Sequence, residues 1–198
     1  MRRRRMHLLL ILIALVSLAA GGGCASTPAR FYTLASTAAA GGVQPTRYAV
    51  LVGPVSIPAS VDLPQIVVQV APNRVELNEF NRWAAPLGDG IARVVAGDLA
   101  VQLGTPDVAI APLATFTPAY RVTIDVQRFD SIVGEAAVIE AVWAVRTVSN
   151  GKMRAGRTNA REPLPEPGFD ALAAAHSRAL AKVSQDIATA IREAAAVR

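Results

Sequence analysis

One cysteine, Cys24, and two histidines, His7 and His176, are all that this chain of 198 residues offers of the soft metal ligands. A zinc site built from Cys and His is therefore excluded, as is any intramolecular disulfide. A Ser-His-Asp arrangement would have to use His176, which falls on or beside the apolar side of a long C-terminal helical pattern. There a packed, hydrogen-bonded histidine is the simpler reading. No nucleophile elbow is present, and Gly88-Asp89-Gly90 lacks both the pattern and the lysine of a phosphate loop. The carboxylates are scattered among predicted strands and turns. The expectation is a protein that is not an enzyme and carries no cofactor.

Aromatic residues make up only 5% of the chain and charged residues 18%. No Lys/Arg cluster is interleaved with aromatics, so nucleic acid is not an expected partner. The formal charge of +5 is largely the work of Arg2, Arg3, Arg4 and Arg5. Without them the basic and acidic residues nearly balance.

What is present begins with that basic start. Residues 8–20 form an apolar run of thirteen, closed by Gly21-Gly22-Gly23. This matches a secretory signal and falls short of the roughly 20 residues a spanning helix needs. An uncleaved membrane anchor is the competing reading. Cys24 stands where a lipoprotein would begin, after two small residues, although Gly21 replaces the usual large aliphatic residue. Acylation there would anchor the protein, at about 0.8 kcal/mol per buried methylene. The reading is residues 1–23 as signal peptide, 24–29 as acylated tether and 30–198 as one domain. Ala25, in place of Asp, favours the outer membrane by resemblance to Gram-negative lipoproteins.

Residues 30–34 read as a short strand and 36–45 as a flexible loop. Residues 48–52 form a buried strand that Gly53-Pro54 ends, and 55–63, punctuated by prolines, reads as an edge or connector. Residues 65–70 and 74–78 pair as a hairpin across Pro72-Asn73. Ile91, Val94, Val95, Leu99 and Leu103 follow helical spacing, with Asp89 as N-cap and Gly104 as terminator. Residues 108–113 suggest a short strand. Tyr120, Val122, Ile124 and Val126 alternate with polar partners, and strands follow at 136–148 and 153–162 about turns at Gly134 and Asn150-Gly151. Residues 169–196 form a long helix with Leu172, His176, Ala179, Leu180, Val183, Ile187 and Ile191 on its apolar side. The predicted fold is a single α+β domain: a mostly antiparallel sheet with two helices on one face.

Residues 78–87 place an aromatic, an arginine and a tryptophan at a strand-to-helix corner. Arg and Trp are interface anchors. The alternative is that Phe80 and Trp83 plug the core while Arg82 pairs with Glu79 or Asp89.

These residues also carry a resemblance. Phe31-Tyr32-Thr33-Leu34, residues 52–58, residues 62–67 and above all Glu79-Phe80-Asn81-Arg82-Trp83-Ala84-Ala85-Pro86-Leu87 resemble the ABC-type transport auxiliary lipoproteins of the PqiC/YmbA group. Tyr120-Arg121-Val122, residues 126–129 and Arg161-Glu162-Pro163 continue the match. Asn81 stands where a His is common, and Ala85 where a Glu is common. The resemblance implies a lipoprotein serving an MCE-type lipid transport system. Its expected partners are an MCE-domain protein, the membrane through acylated Cys24, and further copies of itself in a ring. Glu79, Phe80, Arg82, Trp83, Pro86 and Leu87 become the expected partner-binding residues. Competing readings are a structural lipoprotein that binds cell wall or an outer-membrane protein, and a periplasmic lipid carrier.

Overall fold

The computed structural model describes residues 27–40 and 44–196. The predicted signal peptide, Cys24 and the first part of the tether lie outside them. Eight strands and two helices follow in the order β1 (Arg30–Tyr32), β2 (Val50–Ser56), β3 (Gln65–Ala71), β4 (Arg74–Trp83), α1 (Leu87–Leu103), β5 (Val108–Ile110), β6 (Tyr120–Ile132), β7 (Ala136–Thr147), β8 (Met153–Pro163) and α2 (Phe169–Ala196).

The sheet is built around β6. One edge of β6 pairs antiparallel with β7 along its length, and β7 pairs antiparallel with β8. The other edge is shared. Its first half pairs parallel with β2, which carries β5, and Ile132 at its end meets Gln69 of β3, which carries β4 and β1. The sheet therefore forks. It is mixed and not mostly antiparallel: β1–β4, β2–β5, β2–β6 and β3–β6 are all parallel. Parallel partners need long crossovers, and α1 with the β3–β4 hairpin supplies one. Local turn signals reveal only the hairpin neighbours, which is why the expected sheet was too antiparallel.

β2 does not stop at Gly53-Pro54. It continues to Ser56, and its register on β6 shifts between Val52 and Val55. A bulge takes up the two breakers, Gly53 at φ 113° and Pro54 after a cis peptide. β4 likewise runs on to Trp83. The alternation in β6 holds: Tyr120, Val122, Ile124 and Val126 are buried while Arg121, Thr123, Asp125 and Gln127 face out. Gly134, at φ 66°, turns β6 into β7, and Gly151, at φ 71°, lies in the β7–β8 connection.

In α1 the predicted apolar positions are all buried, and Gly104 ends the helix in the left-handed conformation at φ 61°. The N-cap differs. Pro86 takes that position without a side-chain bond, and Asp89 sits in the first turn, where its charge complements the helix dipole. α2 buries every position read as its apolar side. The helices pack on each other, α1 over β2 and β5, α2 over β7 and β8. Ile91, Leu99, Ile139, Leu180, Ile187 and Ile191 fill the space between helices and sheet.

The loop after β1 is not loose where it is described. Asp98, on α1 and fully buried, accepts bonds from Ser36 Oγ (2.6 Å) and from the backbone N–H of Thr37 and Ala38 (3.1 Å each). Ser177 Oγ accepts the N–H of Ala35 at 3.1 Å. Residues 35–38 are thus clamped between both helices.

Candidate functional site

The corner at residues 78–87 is shaped by Asn78. Its Oδ1 accepts the backbone N–H of Phe80 (3.2 Å) and of Asn81 (2.9 Å), and the Asn81 amide at 2.7 Å. This draws the strand into a bulge: Gln65 is opposite Arg82 while the next residue, Ile66, is opposite Asn78. Glu79 and Phe80 are pushed outward, and Phe80 is 47% exposed. Asn81 has a structural part here, since its Oδ1 accepts the Tyr32 hydroxyl at 2.7 Å and ties β1 to β4. Arg82 donates through Nε to the Glu79 carbonyl at 2.9 Å and lies 3.5 Å from the Glu79 carboxylate. An exposed pair of this kind contributes about 0–1 kcal/mol, so its value is in orienting the guanidinium.

Trp83 turns the other way. It is buried, and its indole lies edge-on to Phe129 and to His176 with centroids at 6.1 and 6.3 Å. The structure thus divides the two aromatics: Trp83 plugs the core, and Phe80 does not. Leu87 is buried at the start of α1 beside Pro86. Between this corner and the loop before β3 runs an open groove of about 360 Å³, with Trp83 at its base and Leu63, Pro64, Ala85 and Pro86 among its walls.

His176 stacks on Phe129 with centroids 3.9 Å apart, and its Nε2 lies 2.9 Å from Ser131 Oγ. The side chain is fully enclosed, and burial pushes its pKa down to about 3. Among the described residues no carboxylate meets Nδ1. A serine and a neutral imidazole sealed from solvent can orient each other but cannot reach a substrate. Among the described residues no group of three Asp, Glu, His or Cys is placed to hold a metal ion.

Three features escaped the sequence reading. The Asp98 clamp had one signal, a carboxylate set inside the apolar stripe of α1. Glu162 on β8 meets Arg178 and Lys182 of α2 at 3.1 and 2.5 Å. Burial alone would push its carboxyl up, but the two cations outweigh that and hold it below its ordinary range. Phe31, 64% exposed on β1, had no signal beyond its neighbours.

The family described as ABC-type transport auxiliary lipoprotein component matches residues 32–188, a span that takes in every element from Tyr32 through most of α2. The chain belongs to that family. As its members are, it is an auxiliary lipoprotein of a transport system, which places it at a membrane of the cell envelope. No helix among the described residues is long and apolar enough to cross a membrane. No curated protein matches the chain in sequence. The fold is similar to that of a crystal structure of an uncharacterized protein, at 20% identity and a TM-score of 0.68, covering 83% of this chain and 99% of the other. It is similar also to protein XCC0632 from Xanthomonas campestris, at 23% identity and a TM-score of 0.65, covering 80% and 92%. PelC from Paraburkholderia phytofirmans, crystallised as a dodecamer, matches at 18% identity and a TM-score of 0.41, covering 75% and 90%.

Proposed function

We propose that the chain is a non-catalytic subunit of an MCE-type intermembrane lipid transport system. Acyl chains on Cys24 hold it at the periplasmic face of the outer membrane, and it docks the MCE-domain protein there. Copies of the chain assemble into a ring around the site of transfer.

The observation that supports this most is the form of the corner. A rigid bulge presents Phe80 and the Arg82–Glu79 pair beside an open apolar groove, on a strand whose next residue, Trp83, is locked into the core. Binding surfaces gain from such fixed geometry, because little ordering entropy is lost on contact. Pro86 and Leu87 fix the groove's far end, where the chain enters α1. The sealed Ser131–His176 pair supports a role without catalysis.

The test is a photo-reactive residue at Arg82 in the native host, with mass spectrometry of the crosslinked species. An MCE-domain protein, alone or with a second copy of this chain, is the expected product. Crosslinks only to cell wall or to a β-barrel protein would favour the structural-lipoprotein reading instead.

A further inference from the structure

The outward side of β1 and of β4 carries exposed apolar side chains. Ile66 and Val68 of β3 point into the core, so Leu77 and Val75 of β4, opposite Val67 and Gln69, lie on the other side of the sheet, where Val67 itself is covered at 7% exposure. Val75 is 54% exposed and Leu77 47%. Phe80 carries the stripe past the bulge. Tyr32 is in the core, so Phe31, opposite Arg82, faces outward at 64% exposure. These are four of the large hydrophobic residues the fold leaves most open, gathered on one strand pair. Contiguous exposed apolar surface of this kind marks a contact face. Arg30 and Arg74, both exposed, stand at its two ends, Arg74 at 3.9 Å from the Glu76 carboxylate.

The chain's own anchor says what that face meets. Six peptide steps separate Cys24 from Arg30. Fully extended they reach about 20 Å. An acylated Cys24 therefore holds β1 close over the leaflet, and the strand the tether enters is the one that carries Phe31. Phe and Leu side chains flanked by Arg suit the boundary between headgroups and acyl chains, where the rings enter and the guanidinium groups stay with the phosphates.

We propose that the outer face of β1 and the β3–β4 hairpin lies on the phospholipid leaflet in which Cys24 is anchored, with Phe31 and Leu77 inserted at the headgroup boundary. This fixes the orientation of the domain on the membrane; the acyl chains alone would leave it free to swivel. It rests on the lipoprotein anchor, and because Phe80 and Arg82 share this side of β4, an MCE-domain protein that docks at that corner must displace it from the leaflet.

Because acylation consumes the thiol of the only cysteine, a second cysteine can be labelled alone. Phe31→Cys and Leu77→Cys, each carrying a nitroxide, are placed in the acylated protein on vesicles of phosphatidylethanolamine and phosphatidylglycerol, with Asn159→Cys on the exposed side of β8 as reference. Each variant is first shown to keep the native circular dichroism. Labels at 31 and 77 are expected to collide with oxygen more than with an aqueous nickel chelate, their nickel accessibility falling several-fold below that of the label at 159. Labels at 31 and 77 as open to nickel as the one at 159 would overturn the proposal. So would labels shielded from both reagents, since the face would then be covered by a second copy. Failure of the protein to float with the vesicles would overturn it together with the lipid anchor. No MCE-domain protein is present in the assay, so these results leave the docking reading to its own test.

Discussion

Ser184 of α2 donates to the buried carboxylate of Asp98 on α1 at 3.1 Å, while the other carboxylate oxygen of Asp98 receives three donors from residues 36–38. A single side chain thus joins the two helices to the segment that leads in from the N-terminus. Asp98→Ala would leave the Ser36 hydroxyl and two backbone N–H groups without an acceptor, while Ser184 keeps the Leu180 carbonyl at 2.9 Å. Each such loss costs about 1–3 kcal/mol when the donor stays buried, with partial relief where the loop can reach water. The expected loss of stability is about 3 kcal/mol, read from urea unfolding, with faster proteolysis around residues 36–40.

Trp143 lies against Gly156 on the neighbouring strand, its register partner, and donates through Nε1 to Thr158, which in turn bonds Asp186. A Cβ on Gly156 would stand 2.3 Å from the indole. Gly156→Ala must therefore displace the ring and the chain of bonds behind it. The expected cost is about 1–3 kcal/mol. Near-ultraviolet circular dichroism of the tryptophans should change with it.

His176 gives the fold an acid sensitivity. In the unfolded chain it titrates near its ordinary value of 6.5, but in the folded core only at about 3. Between those values the unfolded state binds a proton that the folded state does not. Stability is complete above the unfolded pKa and falls as the pH drops, by up to about 1.4 kcal/mol per pH unit. His176→Gln should flatten the stability profile through this window, measured by thermal unfolding at a series of pH values.

Glu162 acts lower on the pH scale. Its folded pKa lies below its ordinary value of 4.5, so its ion pairs stabilise the protein above that pH and are lost as the pH falls through the folded value. Arg178 and Lys182 are partly open to solvent, which limits the effect. Glu162→Gln should lower stability by about 1 kcal/mol at neutral pH, and the difference from the parent should vanish in strong acid. Denaturant midpoints at the two pH values would show it.

Trp83→Ala and Phe80→Ala separate packing from surface. The first empties a buried site and should cost about 3–5 kcal/mol. The second truncates an exposed ring and should shift stability by no more than about 0.5 kcal/mol. Only Phe80→Ala, or a change at Arg82, can therefore report on partner docking without unfolding the protein.

Residues 120–162 were legible as a meander because alternation and turn glycines are local signals, and the same holds for the two helices and their apolar positions. The parallel pairings were not legible. Val50, Leu51 and Val52 announce a strand buried on both sides, but nothing near them names Tyr120, Arg121 and Val122 as partners. Gly53-Pro54 read as a stop because such residues usually are one, and a bulge let the strand pass. At the corner, an alternating pattern ended at Asn78, and the structure continues the strand by drawing the extra residues onto the Asn78 side chain. That bulge sends Phe80 outward and Trp83 inward. Asp98 was visible as a charge in an apolar stripe, but its partners lie about 60 residues away, beyond any spacing rule.

The β1 ladder has a mechanical consequence. With the anchor proposed at Cys24, tension between the membrane and whatever the domain grips enters the fold at Arg30. The first thing to carry it is three residues, Arg30, Phe31 and Tyr32, aligned with β4. Behind them the load passes to residues 35–38 and is divided between α1 and α2. A pull strong enough to peel β1 away would lengthen the leash by only a few residues before it reached Asp98, so the domain can yield a little at its root before both helices take the load.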